Sequence, residues 1–177
     1  MEKSQIKSRI RTIDLLQVAL MAAMAFVVTY VIEIPVGTKA VLHLGDTIVF
    51  AGAILLGKKK AALAAALGMG LFDLLSPYAI WAPFTFVIKG VMAYITASIA
   101  YRNGYYGDKL LNNILGFIIA GIWMILGYYI AGGFIYGSFI VALGDIPGNI
   151  IQVAAGIVVS LPLIKTLKKT KIFKNRL

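Results

Sequence analysis

Six runs of apolar residues, separated by short polar segments, dominate the pattern of the chain. They cover residues 15–34, 45–57, 61–75, 84–101, 111–136 and 144–164. A helix needs about 20 apolar residues to cross the hydrocarbon core of a bilayer, and most of these runs approach or exceed that length. The run at 45–57 is short, so it requires a locally thin crossing or a start below the membrane surface. The pattern predicts an all-α protein, with six transmembrane helices in one compact bundle and a single domain over residues 1–177.

The stretch between the third and fourth runs combines prolines with charged residues. Pro77 and Pro83 disfavour one continuous helix and predict a turn between two helices. Asp73 and Lys89 lie on either side of that turn, inside apolar sequence. A charge within the bilayer costs several kcal/mol unless it is paired or hydrated, so an ion pair between these two residues is one interpretation and a functional site is the other.

Composition supports a membrane environment. Hydrophobic residues make up 60% of the chain and charged residues 14%, with a mean hydropathy of +0.90. A soluble chain of this size does not bury that much apolar surface in one core. A cleaved signal peptide is the competing interpretation of the first run, but that run is too long for a typical signal core. With no cysteine and only His43 as histidine, we expect no disulfide, no metal centre and no cofactor.

The basic residues are distributed unevenly along the chain. Of the 17 lysines and arginines, 15 lie in the amino-terminal segment, the 57–60 and 102–109 turns, and the carboxyl-terminal tail. If six spans alternate, all of these segments lie on one side, and Lys39 alone lies in the opposite loops. The positive-inside rule then places both termini in the cytoplasm of a prokaryotic cell. The excess charge is explained by topology and lipid headgroups, so no nucleic-acid partner is expected.

Polar side chains gather near the three predicted outer segments, 35–45, 76–84 and 136–146. Two sets have helical spacing, 81/85/89 and 145/149/152, and each set therefore shares one helix face. The pattern predicts a cavity that opens to the outside and is lined by polar groups and aromatic walls. The candidate substrate-binding residues are His43, Asp46, Tyr78, Trp81, Thr85, Lys89, Asp145, Asn149 and Gln152.

Each of these residues also has a structural interpretation. Asn149 and Gln152 are of the type that forms hydrogen bonds between transmembrane helices without any ligand. Tyr78 and Trp81 are of the type that lies in the interfacial aromatic belt. A histidine at the outer end of a span, such as His43, is more often a surface residue than a ligand contact. A non-transporting scaffold or assembly subunit is therefore the alternative class of protein.

Catalytic and nucleotide-binding motifs are absent from the sequence. There is no G-x-S-x-G, no H-E-x-x-H and no serine beside a credible base. Asp73 and Asp145 are conceivable as a catalytic pair, but neither lies in a supporting motif. Without a G-x-x-x-x-G-K-[ST] loop the chain has no ATP site of its own. We therefore expect a non-enzymatic protein whose energy source is a gradient or a partner.

Four stretches together resemble a known family. They are Ala19-x-x-x-Ala23 in the first run, HLGD at 43–46, FDLLSPYAIWAPFTFVIKG at 72–90 and PGNIIQ at 147–152. With six spans in a short chain, these stretches are similar to those of the substrate-binding (S) components of energy-coupling factor (ECF) vitamin transporters, in the riboflavin-transporter-like group. The resemblance covers nearly the whole chain. HLGD and WAPFTFVIKG are fairly specific, whereas the alanine spacing alone equally favours packing inside the bundle.

The resemblance implies a function and a set of partners. Such a protein captures a vitamin with high affinity from outside the cell and delivers it inward by toppling within the membrane. Its partners are a transmembrane coupling subunit, which docks on the Ala19 and Ala23 face, and two cytoplasmic subunits that hydrolyse ATP. The site residues implied by the family are Trp81, Thr85, Lys89, Asn149 and Gln152.

The resemblance is weaker for the identity of the vitamin. Riboflavin-binding members often carry lysine where this chain has Gln152. A smaller heteroaromatic ring, pyridoxine or the hydroxymethylpyrimidine of thiamine synthesis, is therefore the preferred expectation. Riboflavin or another vitamin is the alternative.

Overall fold

The computed structural model describes residues 11–36 and 40–169, most of which are helical. Within these residues, seven α-helices follow one another along the chain. They are α1 (Thr12–Val31), α2 (Gly45–Leu56), α3 (Lys58–Leu74), α4 (Ala82–Ala100), α5 (Leu110–Tyr136), α6 (Phe139–Ala142) and α7 (Ile146–Lys168). Single turns of 3₁₀-helix lie at Ala79–Trp81, Arg102–Gly104 and Leu143–Asp145.

Proline and glycine set several of the helix boundaries. Pro83 and Pro147 lie in the first turns of α4 and α7. Backbone N–H groups in a first turn have no acceptor within the helix, so proline, which lacks the N–H, is tolerated there. Gly57 alone separates α2 from α3, with φ of +77°, and Gly137 ends α5 with φ of +67°. Both glycines occupy backbone conformations that a side chain disfavours. The reversals between helices are therefore encoded locally.

The segment before α2 differs from the sequence-based prediction. Strands β1 (Glu33–Val36) and β2 (Ala40–His43) pair antiparallel, with Glu33 opposite His43. The sequence analysis expected an all-α fold with a connecting segment over 35–45, whereas part of that segment forms strands and the described fold is not entirely helical. Pro35 is compatible with a two-stranded hairpin because each strand there has an unpaired edge.

Four helical stretches are long and apolar enough to cross a membrane among the residues described. They are Thr12–Val31, Ala79–Ala100, Leu110–Tyr136 and Phe139–Lys168. Helix α2 has 12 residues and rises about 18 Å, which is less than the roughly 30 Å of a hydrocarbon core. Every residue of α2 is buried. This helix is therefore enclosed by its neighbours, which explains why it is apolar on all sides.

Small residues bring α1 and α3 close together. A side chain at Gly68 would place its Cβ 2.4 Å from the carbonyl oxygen of Ala22, so the two backbones meet there. Ala22 and Ala25 are buried, whereas Ala19 and Ala23 lie on the exposed face of α1. The alanines of this helix thus serve two faces, and only one of them packs within the bundle.

The two ends of the bundle differ in chemistry. At the end that we call the basic end, the ammonium group of Lys60 donates to Asp14 at 3.1 Å and to Gln17 at 2.8 Å. There also, Lys168 bonds Asp108 and the Gly107 carbonyl, each at 2.6 Å. The opposite end, the hairpin end, contains β1 and β2, the starts of α2, α4 and α7, and the end of α5. The basic residues predicted to set the topology at positions 3, 7, 9, 39 and after 169 lie outside the described residues.

Candidate functional site

A buried ion pair lies at the centre of the hairpin end. Lys89, in the second turn of α4, forms a salt bridge with Asp46 in the first turn of α2, and both side chains are fully buried. The second carboxylate oxygen of Asp46 accepts a 2.9 Å hydrogen bond from the Gln152 amide of α7. One carboxylate therefore ties three helices together. Lys89 pairs with Asp46, so the interpretation of an ion pair between Asp73 and Lys89 is wrong.

Gln152 extends this network to the hairpin. Its side-chain oxygen accepts from the backbone N–H of His43 at 3.3 Å, and the His43 Nδ1 accepts from the backbone N–H of Gly45 at 3.2 Å. Burial, and then the positive charge of Lys89, lower the pKa of His43 to about 4. The imidazole is therefore neutral at pH 7, in keeping with its role as an acceptor. His43 positions the start of α2 beneath the hairpin.

An aromatic wall stands beside the ion pair. The ring of Trp81 lies 5.8 Å from both Tyr128 and Tyr136, measured between ring centroids. The Thr85 hydroxyl is 2.9 Å from the Tyr128 hydroxyl, and the Lys89 ammonium lies 5.3 Å from the Tyr128 ring centroid. The stripe at 81, 85 and 89 therefore lies against the last turns of α5. The aromatic rings of this wall lie beside charged and hydroxyl groups. Such an arrangement suits a planar ring that stacks on the aromatic side chains while its substituents form hydrogen bonds with the polar groups.

Asp73 adds a second buried carboxylate at the same end. It lies in the last turns of α3 with 7% of its surface exposed. Thr85 and Lys89 of α4 are the neighbours that act on its carboxylate. Thr85, which is hydrogen-bonded to Tyr128, therefore lies close to both Asp73 and the aromatic wall.

The remaining candidate residues lie around this centre. Asp145 is partly buried and accepts a 2.7 Å hydrogen bond from the Tyr136 hydroxyl, which links it to the aromatic wall. Asn149 is partly buried on α7, one turn before Gln152. Tyr78 is partly buried in the turn after α3 and packs against the core. Within the described chain, no hydrogen bond joins the side chains of Asn149 or Tyr78 to the network.

Sequence reasoning missed two members of this site. Tyr128 and Tyr136 lie in a long apolar run with many aromatic residues, where nothing marks them individually. Their spacing of i, i+8 is a usable signal, because it places both on one face of α5 with Gly132 between them. A Cβ at Gly132 would lie 3.2 Å from the Ala142 Cβ and in ordinary contact, 3.5 Å, with the Trp81 ring, so the indole packs directly against this part of α5.

The described residues contain no group of three or more acidic, histidine or cysteine side chains able to hold a metal ion. The arrangement therefore offers hydrogen bonds, charge and aromatic surface. These are the means by which proteins bind small molecules.

Comparison with known proteins bears on the family and the fold of this chain. The family model described as "ECF-type riboflavin transporter, S component" matches residues 9–169. A solved structure of the S component of a bacterial ECF transporter aligns with a TM-score of 0.68 at 23% identity, covering 92% of this chain and 98% of that one. At that identity the likeness shows a common fold. An uncharacterized protein of Pyrococcus woesei, described as lying in a gap 3' region, is 33% identical over 94 residues.

The match to the Pyrococcus woesei protein spans 52% of this chain and 63% of that relative's length, so it supports relatedness over part of the fold. The family match is far more extensive, since it includes every helix from α1 to α7. The apolar helices long enough to cross a bilayer agree with a multi-pass membrane protein. The chain belongs to the family of S components of ECF-type riboflavin transporters, which are transport subunits and not enzymes.

Proposed function

We propose that this protein captures a small heteroaromatic vitamin at the hairpin end, with high affinity, and delivers it inward together with an ATP-driven coupling module. The observation that carries the proposal is the meeting of the buried Lys89–Asp46–Gln152 network with the Trp81 and Tyr128 rings. A family of vitamin transport subunits provides the context. Aromatic rings can stack on a flat ligand, and the charged and amide groups beside them can form hydrogen bonds with polar substituents at its edge.

Charge compensation favours a ligand without a strong negative charge. The ammonium group of Lys89 is fully buried and already paired with Asp46. Asp73 is buried at the same end and Asp145 is partly buried there, so an anionic group would meet carboxylates, and the described residues of this end offer it no uncommitted lysine. Pyridoxine and hydroxymethylpyrimidine are rings without such a charge, and they are our preferred ligands.

Riboflavin is the second candidate, because the matching family model describes riboflavin transporters. Against it stands Gln152. Its amide is committed to Asp46 and to the hairpin, so the position that often carries lysine in riboflavin-binding members supplies no cation here. Direct comparison of the three vitamins decides between the candidates.

The route inward requires partners. We propose a transmembrane coupling subunit that docks on the exposed face of α1 around Ala19 and Ala23, and two cytoplasmic subunits that hydrolyse ATP. Both alanines are exposed, while Ala22 and Ala25 pack inside the bundle. Small exposed residues let a second helix approach closely. We further propose six spans in a prokaryotic cell membrane, with the basic end and both termini in the cytoplasm.

The first experiment measures binding to the purified chain in detergent, without ATP. Isothermal titration with pyridoxine, hydroxymethylpyrimidine and riboflavin, with mass spectrometry of co-purified small molecules, should identify one tight ligand. If none of the three binds and nothing co-purifies, the scaffold interpretation replaces the transport proposal.

Asn149 provides a mutational test that leaves the network intact. It is partly buried one turn from Gln152, and its side chain makes no hydrogen bond to the described residues. Asn149→Ala should weaken ligand binding about 10-fold, the effect of one lost hydrogen bond, with thermal stability unchanged. Asn112→Ala, in the first turn of α5 near the basic end, is the matched control, because Asn112 is also partly buried in a helix. Unchanged affinity in Asn149→Ala would remove this residue from the site.

A further inference from the structure

Asp73 is a buried carboxylate that forms no ion pair with any residue that the structure describes. Only 7% of its surface is exposed, and among the described residues no lysine or arginine lies within ion-pair distance of it. Lys89 forms its salt bridge with Asp46 instead. Leaving a carboxylate in such a place is unfavourable for the fold alone. A position this unfavourable, next to the aromatic wall, points to a role in binding.

Two hydroxyl groups lie close to the Asp73 carboxylate. Thr85 is its neighbour on α4, and the Thr85 and Tyr128 hydroxyl oxygens are 2.9 Å apart, so the two groups are hydrogen-bonded to each other. A hydroxyl has one proton to donate, whereas an ionised carboxylate accepts through two oxygens. The carboxylate therefore has room for a further donor.

Asp46 provides the contrast. One of its oxygens is engaged by Lys89 and the other by Gln152. The same residues hold the hairpin and α7 in place, so disturbing Asp46 would disturb the fold. Asp73 has no salt bridge within the part of the chain that the structure describes, and the neighbouring Thr85 hydroxyl has at most one proton to give it. The two buried carboxylates therefore differ in role, one tying helices together and one open to a further donor.

We infer that Asp73 contacts the ligand and selects for a hydrogen-bond donor on the ring, an exocyclic amino group or ring N–H, with Thr85 and Tyr128 orienting the carboxylate. This inference rests on the proposed function and narrows it to a class of ligand. A ring with a carbonyl oxygen at that position would place a hydrogen-bond acceptor against the Asp73 carboxylate, which is itself an acceptor. A site with buried polar groups rejects such an analogue strongly, because its own groups are left without partners.

The test uses two pyrimidines that differ at one position. 4-Amino-5-hydroxymethyl-2-methylpyrimidine presents an amino group, and its 4-oxo counterpart presents a carbonyl oxygen. Titration calorimetry on the wild-type protein in detergent should give at least about 10-fold tighter binding of the amino compound. Equal affinities, or a preference for the oxo compound, overturn the inference.

Asp73→Asn then assigns the preference to this residue. The change is nearly isosteric, removes the charge and replaces one acceptor oxygen with a donor amide. Affinity for the amino compound should fall about 10- to 100-fold, while affinity for the oxo compound should fall less or rise. Asp108→Asn, at an exposed ion pair of the basic end, is the matched control and should change neither affinity. A preference that survives in Asp73→Asn overturns the inference.

The outcomes separate this inference from the proposed function. Gel filtration and thermal unfolding establish that Asp73→Asn is folded, and the comparison of ligands on the wild-type protein needs no variant. If neither pyrimidine binds but pyridoxine or riboflavin does, the proposed function stands. The inference then falls unless Asp73→Asn weakens that vitamin at least about 10-fold. If no vitamin binds at all, both fail.

Discussion

The Lys89–Asp46 ion pair offers the sharpest prediction about stability. Lys89→Met removes the charge, keeps most of the side-chain volume and leaves the Asp46 carboxylate fully buried with Gln152 as its remaining partner. Breaking a fully buried pair on one side costs about 3–5 kcal/mol. For a chain of this length each kcal/mol corresponds to about 2–4 °C, so the melting temperature should fall by roughly 10 °C.

The assay is thermal unfolding in detergent, followed by intrinsic fluorescence, since the chain has two tryptophans and no cysteine for thiol dyes. Both tryptophans report on the packing of α4 against α5: Trp81 contacts Tyr128, and Trp123 donates to the carbonyl oxygen of Ile88 at 3.1 Å. The double variant Asp46→Asn with Lys89→Met should be more stable than Lys89→Met alone, because it leaves no uncompensated charge.

Lys60→Met is the matched control. Its salt bridge to Asp14 is partly exposed on both sides, with 26% and 23% of the two side chains accessible, so it should cost less than about 1 kcal/mol. Equal losses in Lys60→Met and Lys89→Met would refute the reasoning. So would a double variant less stable than Lys89→Met.

Two further predictions concern packing and pH. Gly68→Val should destabilise the fold by about 3 kcal/mol or more, because its Cβ would lie 2.4 Å from the Ala22 carbonyl oxygen, whereas Gly144→Ala meets nothing within 4 Å. Thermal unfolding of the two variants measures the difference, and similar melting temperatures would contradict the close contact. His43 has a folded pKa of about 4, below its unfolded value of 6.5. Its contribution to stability is therefore complete above pH 6.5 and should decline as pH falls toward 4. His43→Asn should lack that part of the pH dependence in unfolding scans, and a profile identical to that of the wild-type protein would contradict it.

Much of the helical framework was predictable from local pattern. Apolar runs in a membrane protein become helices because backbone N–H and C=O groups in lipid must find partners within the same segment. Proline residues indicated the turn before α4, and a glycine indicated the end of α5. The short run at 45–57 was recognised as unusual, but its explanation, complete enclosure by neighbouring helices, depends on those neighbours.

The candidate site was predictable only in part, and the limit has a physical cause. Helical periodicity correctly grouped Trp81, Thr85 and Lys89, because residues spaced by four share a face of one helix. Periodicity carries no information about which helix that face meets. The aromatic partners Tyr128 and Tyr136, on α5, were therefore missed.

Lys89 lies inside the fourth apolar run, where an unpaired charge is too costly. Its need for a partner was therefore predictable from the sequence. The tertiary structure decides which carboxylate is the ion-pair partner of Lys89. Asp73 is nearer along the chain, but the packing of α2 against α4 and α7 brings Asp46 to the ammonium group. The same holds for the alanines of α1, whose spacing fits two faces equally until packing against α3 buries one and leaves the other exposed. Sequence determined which residues require burial or a partner, and only the arrangement of helices determined which partner each one met.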